Sequence, residues 1–362
     1  MGKNRWYMED NILKFENRGI TTSFFMPEEF KLEDTHPDLL KLAEWALFKR
    51  YDPNILKGYV WTRKPKGKNI GLNYSGGVDS TAVLTLFDDY KDVHLFYCSR
   101  WSGDGLNLSN ETNPLRSFKM VEEISGRKTN IIKNDLHKIR KIEKNLPFGF
   151  PSNGAMFIGS ILLADMYDIK YITAEAVMVS CFPRDGVYRS FHSSEYWKEH
   201  TEIYRQAGLE LMCPVMCCSQ TATNKISNAG KYSGVGQSCV RSNVEGEGCL
   251  KCMKCFKKKI INGVLLPRSE EIKNTLTSDK IIGSLAGIGN AINKHNLDVP
   301  ELAKYNLQNY DLSFMEDYQE EELGCVPVEL RDYVRKELNK YIKPMSVNIK
   351  EFVKDYHNKE LK

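Results

Sequence analysis

"NIGLNYSGGVDSTAVLTLF", Asn69 to Phe87, sets a Ser-Gly-Gly loop between a short apolar run and a helical one. A glycine pair at the end of a buried strand frees the backbone to take φ values other residues avoid, so successive amide N–H groups can converge on one concavity. Ser75, Gly76, Gly77 and Ser80 would surround an anion at the N-terminus of a helix beginning near Asp79, where the dipole also favours negative charge. The guest this suits is a phosphate group. The stretch lacks the Gly-Lys-Ser ending of a Walker loop, whose lysine reaches the terminal phosphates. Asp79 instead sets a carboxylate beside the anion, which serves if Mg2+ bridges it to the phosphates. Departing pyrophosphate fits that arrangement better than a transferred terminal phosphoryl group. A bare Gly-Gly turn would mean little, but here strand, loop and helix signals stand in the order a phosphate cradle needs.

Outward from the loop, "NIGLNY", "DVHLFYCS", "KTNIIKN" and "YITAEAVMV" read as buried strands. They alternate with helices after Asp79, around "NPLRSFKMVEEISG" and at "AMFIGSILLADMYD". Strand and helix in alternation predict an α/β domain built on a doubly wound parallel sheet over residues 69–265. Residues 1–68 read as an N-terminal α+β extension, with a strand at "ITTSFFM" and a helix at "HPDLLKLAEWALFKRY" that has Pro37 in its first turn. Residues 266–362 read as a helical C-terminal segment in which Leu330, Val334, Leu338 and Ile342 recur at the spacing of an amphipathic stripe. "GIGNA", Gly287 to Ala291, follows no strand and reads as a helix packing site rather than a dinucleotide fingerprint.

Composition narrows the function class less than the motifs do. Of 362 residues, 41% are hydrophobic and 27% charged, the balance of a folded globular protein. A formal net charge of +4, with Lys and Arg spread along the chain, neither demands nor excludes nucleic acid. The start "MGKNRWYMED" carries charges where a signal peptide needs an apolar core, and the apolar run near "AMFIGSILLADM" is interrupted by Asp165 and too short to span a bilayer. A cytoplasmic protein without a membrane segment is expected, and in such a compartment ten cysteines read as thiols or metal ligands before disulfides.

Four of the ten fall in "SCVRSNVEGEGCLKCMKCFKK": Cys239, Cys249, Cys252 and Cys255. A cysteine followed by a Cys-x-x-Cys-x-x-Cys run can close a tetrahedron around Zn2+, and a structural zinc knuckle is the favoured reading. An iron–sulfur cluster is the alternative. Lys251, Lys254 and Lys257 to Lys259 would offset thiolate charge or touch an anion, against the plainer expectation of a solvated face. Cys98, Cys181, Cys213, Cys217, Cys218 and Cys325 carry no motif and read as small buried hydrophobes, with a redox role for Cys217 or Cys218 as the lesser possibility.

The Ser75 to Ser80 stretch resembles the signature of the PP-loop (N-type) ATP pyrophosphatases. That resemblance implies cleavage of ATP between its α and β phosphates, giving an adenylated substrate and pyrophosphate, and it accounts for the missing lysine. With the cysteine cluster downstream, residues 69–265 look like the cyano-deazaguanine synthases of queuosine biosynthesis. Those enzymes bind zinc through such cysteines and activate a carboxylate so that ammonia forms an amide and then a nitrile. Within that span "PSNGAMFIGSILLA" resembles a family stretch near the nucleotide: Asn153 matches, while Ser152 stands where an arginine is expected. In "SQTATNKI", Lys225 matches the lysine that would contact phosphate or leaving group. The chain departs from the family in "VSCFPRDGVYRSFHSSEYW", which has Tyr188, Arg189, Ser190, Phe191 and His192 where relatives carry a substrate-binding stretch. Arg184, Arg189 and His192 still offer positive charge and a proton acceptor at a strand end, though a lone His there is as readily a hydrogen-bonded loop residue.

The resemblance thus implies an ATP-dependent carbon–nitrogen ligase using Mg2+ and a small carboxylate, with ammonia or an amine as the second substrate. The flanking segments leave room for a bulkier amine, even a protein N-terminus joined to a deazaguanine carboxylate, as in an antiviral system; a homodimer is a separate expectation. Sulfur transfer to a tRNA base and a nucleotide-binding module without turnover are the other readings of the same motif.

Overall fold

A computed structural model describes residues 5–17, 19–100, 110–140, 153–182, 187–277 and 282–360. Three strands open the chain: β1 (Arg5–Glu9), β2 (Ile12–Asn17) and β3 (Ile20–Phe25). They form an antiparallel meander whose alternation buries Leu13, Phe15 and Phe24. Helix α1 (Pro37–Phe48) starts where the sequence predicts: proline occupies its first turn and His36 caps it, Nδ1 accepting from the Asp38 N–H at 3.2 Å.

Strand and helix then alternate: β4 (Asn69–Asn73), α2 (Val78–Leu86), β5 (Val93–Arg100), α3 (Thr112–Ser125), β6 (Thr129–Asn134) and α4 (His137–Arg140). A 3-10 turn (Asn153–Phe157) leads into α5 (Ile158–Leu162), followed by β7 (Ile169–Thr173), α6 (Glu195–Gln206), β8 (Glu210–Met212) and α7 (Gln220–Ala229). The remaining helices are α8 (Met253–Ile261), α9 (Glu270–Thr277), α10 (Ile282–His295), α11 (Val328–Leu338) and α12 (Ile349–Glu360).

All eight strands join one mixed sheet in the order β1-β2-β3-β6-β5-β4-β7-β8. The strands β6, β5, β4, β7 and β8 run parallel, while the N-terminal meander is antiparallel and attaches through the pair Phe24 and Asn134. Asp135 secures that junction by accepting the Ser23 N–H at 2.7 Å. Among the parallel strands the chain winds outward from β4 to β5 and β6, then returns to the other side of β4 for β7 and β8. The connections leaving β4 and β7 therefore diverge and open a crevice at their C-terminal ends.

Period-2 alternation gives the sheet two apolar layers. Ile70, Leu72, Leu95 and Tyr171 pack with Ala82, Val83 and Leu86 of α2, Ala222 and Ile226 of α7, and the stripe Leu330, Val334, Leu338 and Ile342. Phe96, Cys98, Ile132 and Ile172 pack with α1 and α5. Gly287 to Ala291 lies inside α10, close against Thr221 and Leu312. The strand expected over Tyr171 to Val179 stops at Thr173; Ala174 and Ala176 line the crevice, while Met178 and Val177 pack into the two apolar layers. No helix among the described residues is long and apolar enough to cross a membrane.

Candidate functional site

The crevice holds a cavity of about 630 Å³, within the range of small-molecule sites. One wall is the loop after β4. Tyr74 is fully buried and its hydroxyl meets Thr81 Oγ1 at 3.2 Å, which anchors the loop to the first turn of α2. The chain reverses at Gly76, whose φ is 72°. A Cβ there would also fall 3.0 Å from Pro114 Cα and from Ser117 Cβ, so conformation and space both require glycine. Ser75 Oγ lies 3.1 Å from Ser80 Oγ and accepts the Gly77 N–H at 3.3 Å, while the Val78 N–H reaches Ser238 Oγ at 3.1 Å. Hydroxyls and the N-terminal amides of α2 thus converge on one spot, the setting an anion needs.

Ionisable groups surround that spot. Asp79 accepts from Thr223 Oγ1 of α7 at 2.6 Å; burial pushes its carboxyl above the usual range, and that hydrogen bond together with Lys258, Lys254 and Lys257 pulls back. Glu175, just past β7, accepts from Ser75 Oγ at 3.1 Å. Burial pushes Glu175 up to about 8, the Ser75 hydrogen bond opposing it and the neighbouring Asp79 adding to it. Its Oε1 is buried with no hydrogen-bond partner among the described residues. On α8 the Lys258 Nζ is likewise buried without a hydrogen-bond partner, and burial brings it down to about 8 against the attraction of Asp79. Two carboxyls and a cluster of amines therefore share a poorly solvated region with unused hydrogen-bonding capacity, which a metal–phosphate ligand would satisfy.

The cysteines supply a second centre that adjoins the first. The Sγ atoms of Cys239, Cys249, Cys252 and Cys255 all lie within 4.8 Å of one another, with Cys252 to Cys255 at 3.5 Å and Cys249 to Cys255 at 3.9 Å. Tetrahedral thiolates at zinc distance sit about 3.8 Å apart, so this tetrad can hold one such ion. A four-iron cluster spreads its thiolates over separate irons and holds them farther apart. A Cβ on Gly248 would fall 2.6 Å from Cys255 Sγ, so glycine is needed where the knuckle closes. The knuckle also braces the loop: the Gln237 N–H donates to Gly76 O at 2.8 Å, and Ser238 and Lys254, flanking the cysteines, line the cavity.

The structure separates the other expected site residues from this cavity. Lys225 lies 3.5 Å from Glu316 in an ion pair and does not line it. His192 Nδ1 meets Ser190 Oγ at 2.8 Å, and the Phe191 and His192 N–H groups donate to the two oxygens of Glu322, each at 3.1 Å. His192 and Arg189 accordingly belong to a loop pinned from the C-terminal segment, of whose described residues Phe191 lines the cavity while His192 and Arg189 do not. Asn153 opens its 3-10 turn, but its side chain, like Ser152 and Arg184, lies outside the described residues.

Glu175 and His200 are cavity-lining groups that sequence reasoning missed, and Lys258, read there only as one of several lysines beside the cysteines, lies near Asp79 without lining the cavity. Glu175 leaves one faint signal, a lone acid inside the apolar run "YITAEAVMV"; Lys258 sits in a lysine run that resembles any solvated helix face; His200 has no motif at all.

The sequence model of a family of unknown function (DUF6395) matches residues 199–285, a span that carries His200, Lys225, the four cysteines and the lysines of α8. No curated protein and no solved structure matches the chain.

Proposed function

We propose that the chain is an ATP-dependent carbon–nitrogen ligase that cleaves ATP to AMP and pyrophosphate, built on a doubly wound PP-loop domain of the kind found in cyano-deazaguanine synthases. The observation that carries this reading is the Ser75 to Ser80 loop at the divergence of β4 and β7, with Glu175 bonded to Ser75 through one oxygen and its other oxygen buried without a hydrogen-bond partner, and with Lys258 close enough to attract Asp79.

A carboxylate oxygen of the substrate attacks the α-phosphorus of ATP, the bond from that phosphorus to the β-bridging oxygen breaks, and pyrophosphate departs into the loop. Ser75, Gly77 and Ser80 receive its oxygens, and Lys254 and Lys258 offset its charge. Asp79 and Glu175 are the residues that would hold Mg2+, which neutralises phosphate charge when bound. Ammonia or an amine then attacks the acyl carbon, AMP leaves, and the amine's proton passes to solvent or a neighbouring base, giving an amide; a second activation would give a nitrile. Through the family resemblance the carboxylate is a 7-carboxy-7-deazaguanine-like acid, and the amine can be a protein N-terminus. The four cysteines hold a structural zinc that keeps Ser238 and Lys254 against the loop. Sulfur transfer needs a reactive carrier thiol at the cavity; of the six described cysteines outside the tetrad Cys98 alone lines it, and burial pushes that thiol up to about 11, which favours the ligase.

The test is pyrophosphate release from Mg-ATP with 7-carboxy-7-deazaguanine and with other carboxylic acids. Release specific to one acid, lost in Asp79→Asn without loss of fold, is expected; ATP binding with no release for any acid would make the chain a nucleotide-binding module.

A further inference from the structure

The cavity beside the Ser75 to Ser80 loop is lined from both sides of β4, which β5 and β7 flank. Beside β5 its wall is Phe96, Met156 and Phe157; beside β7 and β8 it is Phe191, Trp197, His200 and Leu211. The second wall contains an imidazole whose orientation and tautomer are fixed. His200 Nδ1 lies 2.7 Å from Tyr196 O, and since a carbonyl only accepts, that nitrogen carries the proton. The ring is clamped by Trp45, edge to face at a centroid distance of 4.8 Å, and by Tyr196 at 3.9 Å. Burial brings His200 down to about 4, outweighing the Tyr196 carbonyl, so the imidazole is neutral. With 8% of its surface exposed, His200 is one of the side chains that line the cavity, and with Nδ1 committed to Tyr196 the ring nitrogen left to accept there is Nε2.

We propose that this wall binds a planar nitrogen heterocycle that donates an N–H to His200 Nε2, so that His200 is a specificity-determining residue. An aromatic wall selects a flat ring, and a buried acceptor rejects a ring that cannot donate to it, because the acceptor would be left unpaired. The proposal deepens the ligase reading, on which it rests for the ring's source: the adenine of ATP or the ring of the activated carboxylate. His200 lies close to no phosphate-loop residue in sequence and performs no bond-making step.

Calorimetric titration of ATP and of 7-carboxy-7-deazaguanine, each separately, into the full-length protein tests this without turnover. In His200→Phe, which keeps a ring against Trp45 and Tyr196, affinity for one of the two falls about tenfold while the other is unchanged. His200→Gln, which keeps an acceptor, recovers much of that loss. Whichever ligand weakens identifies the ring at this wall, and its N-methylated analogue binds wild type no better than His200→Phe. Unchanged affinity for both ligands, an equal loss for both, or no recovery in His200→Gln would overturn the assignment. A chain that passes this test yet never releases pyrophosphate would refute the ligase and leave the ring assignment standing.

Discussion

Glu175 and Lys258 are an acid and an amine that the fold keeps out of water without giving every polar atom a partner, and the consequence is a stability that depends on pH. A carboxyl held near 8 stays protonated while its unfolded counterpart ionises above about 4.3, so wild type loses stability as pH rises through that window, by about 1.4 kcal/mol for each pH unit. Glu175→Gln removes this loss. The variant should match wild type near pH 4 and exceed it increasingly up to about pH 8 in urea denaturation, while pyrophosphate release falls; parallel stability curves would show that Glu175 is not held neutral. Lysine roles separate in the same way. Lys258→Met should slow pyrophosphate release by at least about tenfold, a barrier change of about 1.4 kcal/mol, whereas Lys225→Met, which breaks only the pair with Glu316, should leave it within about twofold. The glycine loop was legible because all its parts lie within six consecutive residues. Glu175, Lys258 and His200 acquire their surroundings from strands and helices far along the chain, so no local pattern marks them.

At the scale of elements, the knuckle and the loop act as one unit. The Gly76 carbonyl accepts from Gln237 and the Val78 N–H reaches Ser238, so residues next to Cys239 hold the turn before α2. Disturbing the knuckle should therefore loosen the Ser75 to Ser80 loop and, on the proposed function, weaken phosphate binding. Gly248→Ala forces Cys255 Sγ aside and should lower zinc content, measured by elemental analysis, from about one per chain, with ATP affinity falling in proportion. Full zinc occupancy in that variant would contradict the close approach. The cysteine spacing was readable because ligand geometry limits which intervals work, but its dependence on the loop was not, since backbone hydrogen bonds between distant segments leave no trace in residue type. The strand read over Tyr171 to Val179 ran too long for a related reason: an apolar residue buried in a connection or lining a cavity looks the same in sequence as one inside a sheet.

Across the whole molecule, the terminal segments close the structure around this unit. The N-terminal meander extends the sheet past β6, and the 3-10 turn Glu320–Cys325 sends Glu322 into the protein, where its carboxyl accepts from Tyr188 at 2.8 Å and from two backbone N–H groups. Glu322→Ala leaves those donors buried and unpaired and should cost about 3 kcal/mol in urea denaturation. It should also weaken ligand binding at the Phe191 wall; a change below about 0.5 kcal/mol would show that the segment is not anchored there. The helical stripe of the C-terminal segment was visible from its spacing, whereas the partner of a single glutamate was not. Phosphorus NMR of Mg-ATP incubated with the protein, 7-carboxy-7-deazaguanine and ammonia tests most directly whether the Ser75 to Ser80 loop serves cleavage of ATP between its α and β phosphates. AMP and pyrophosphate in equal amounts are the predicted products; ADP and orthophosphate, or intact ATP, would contradict it.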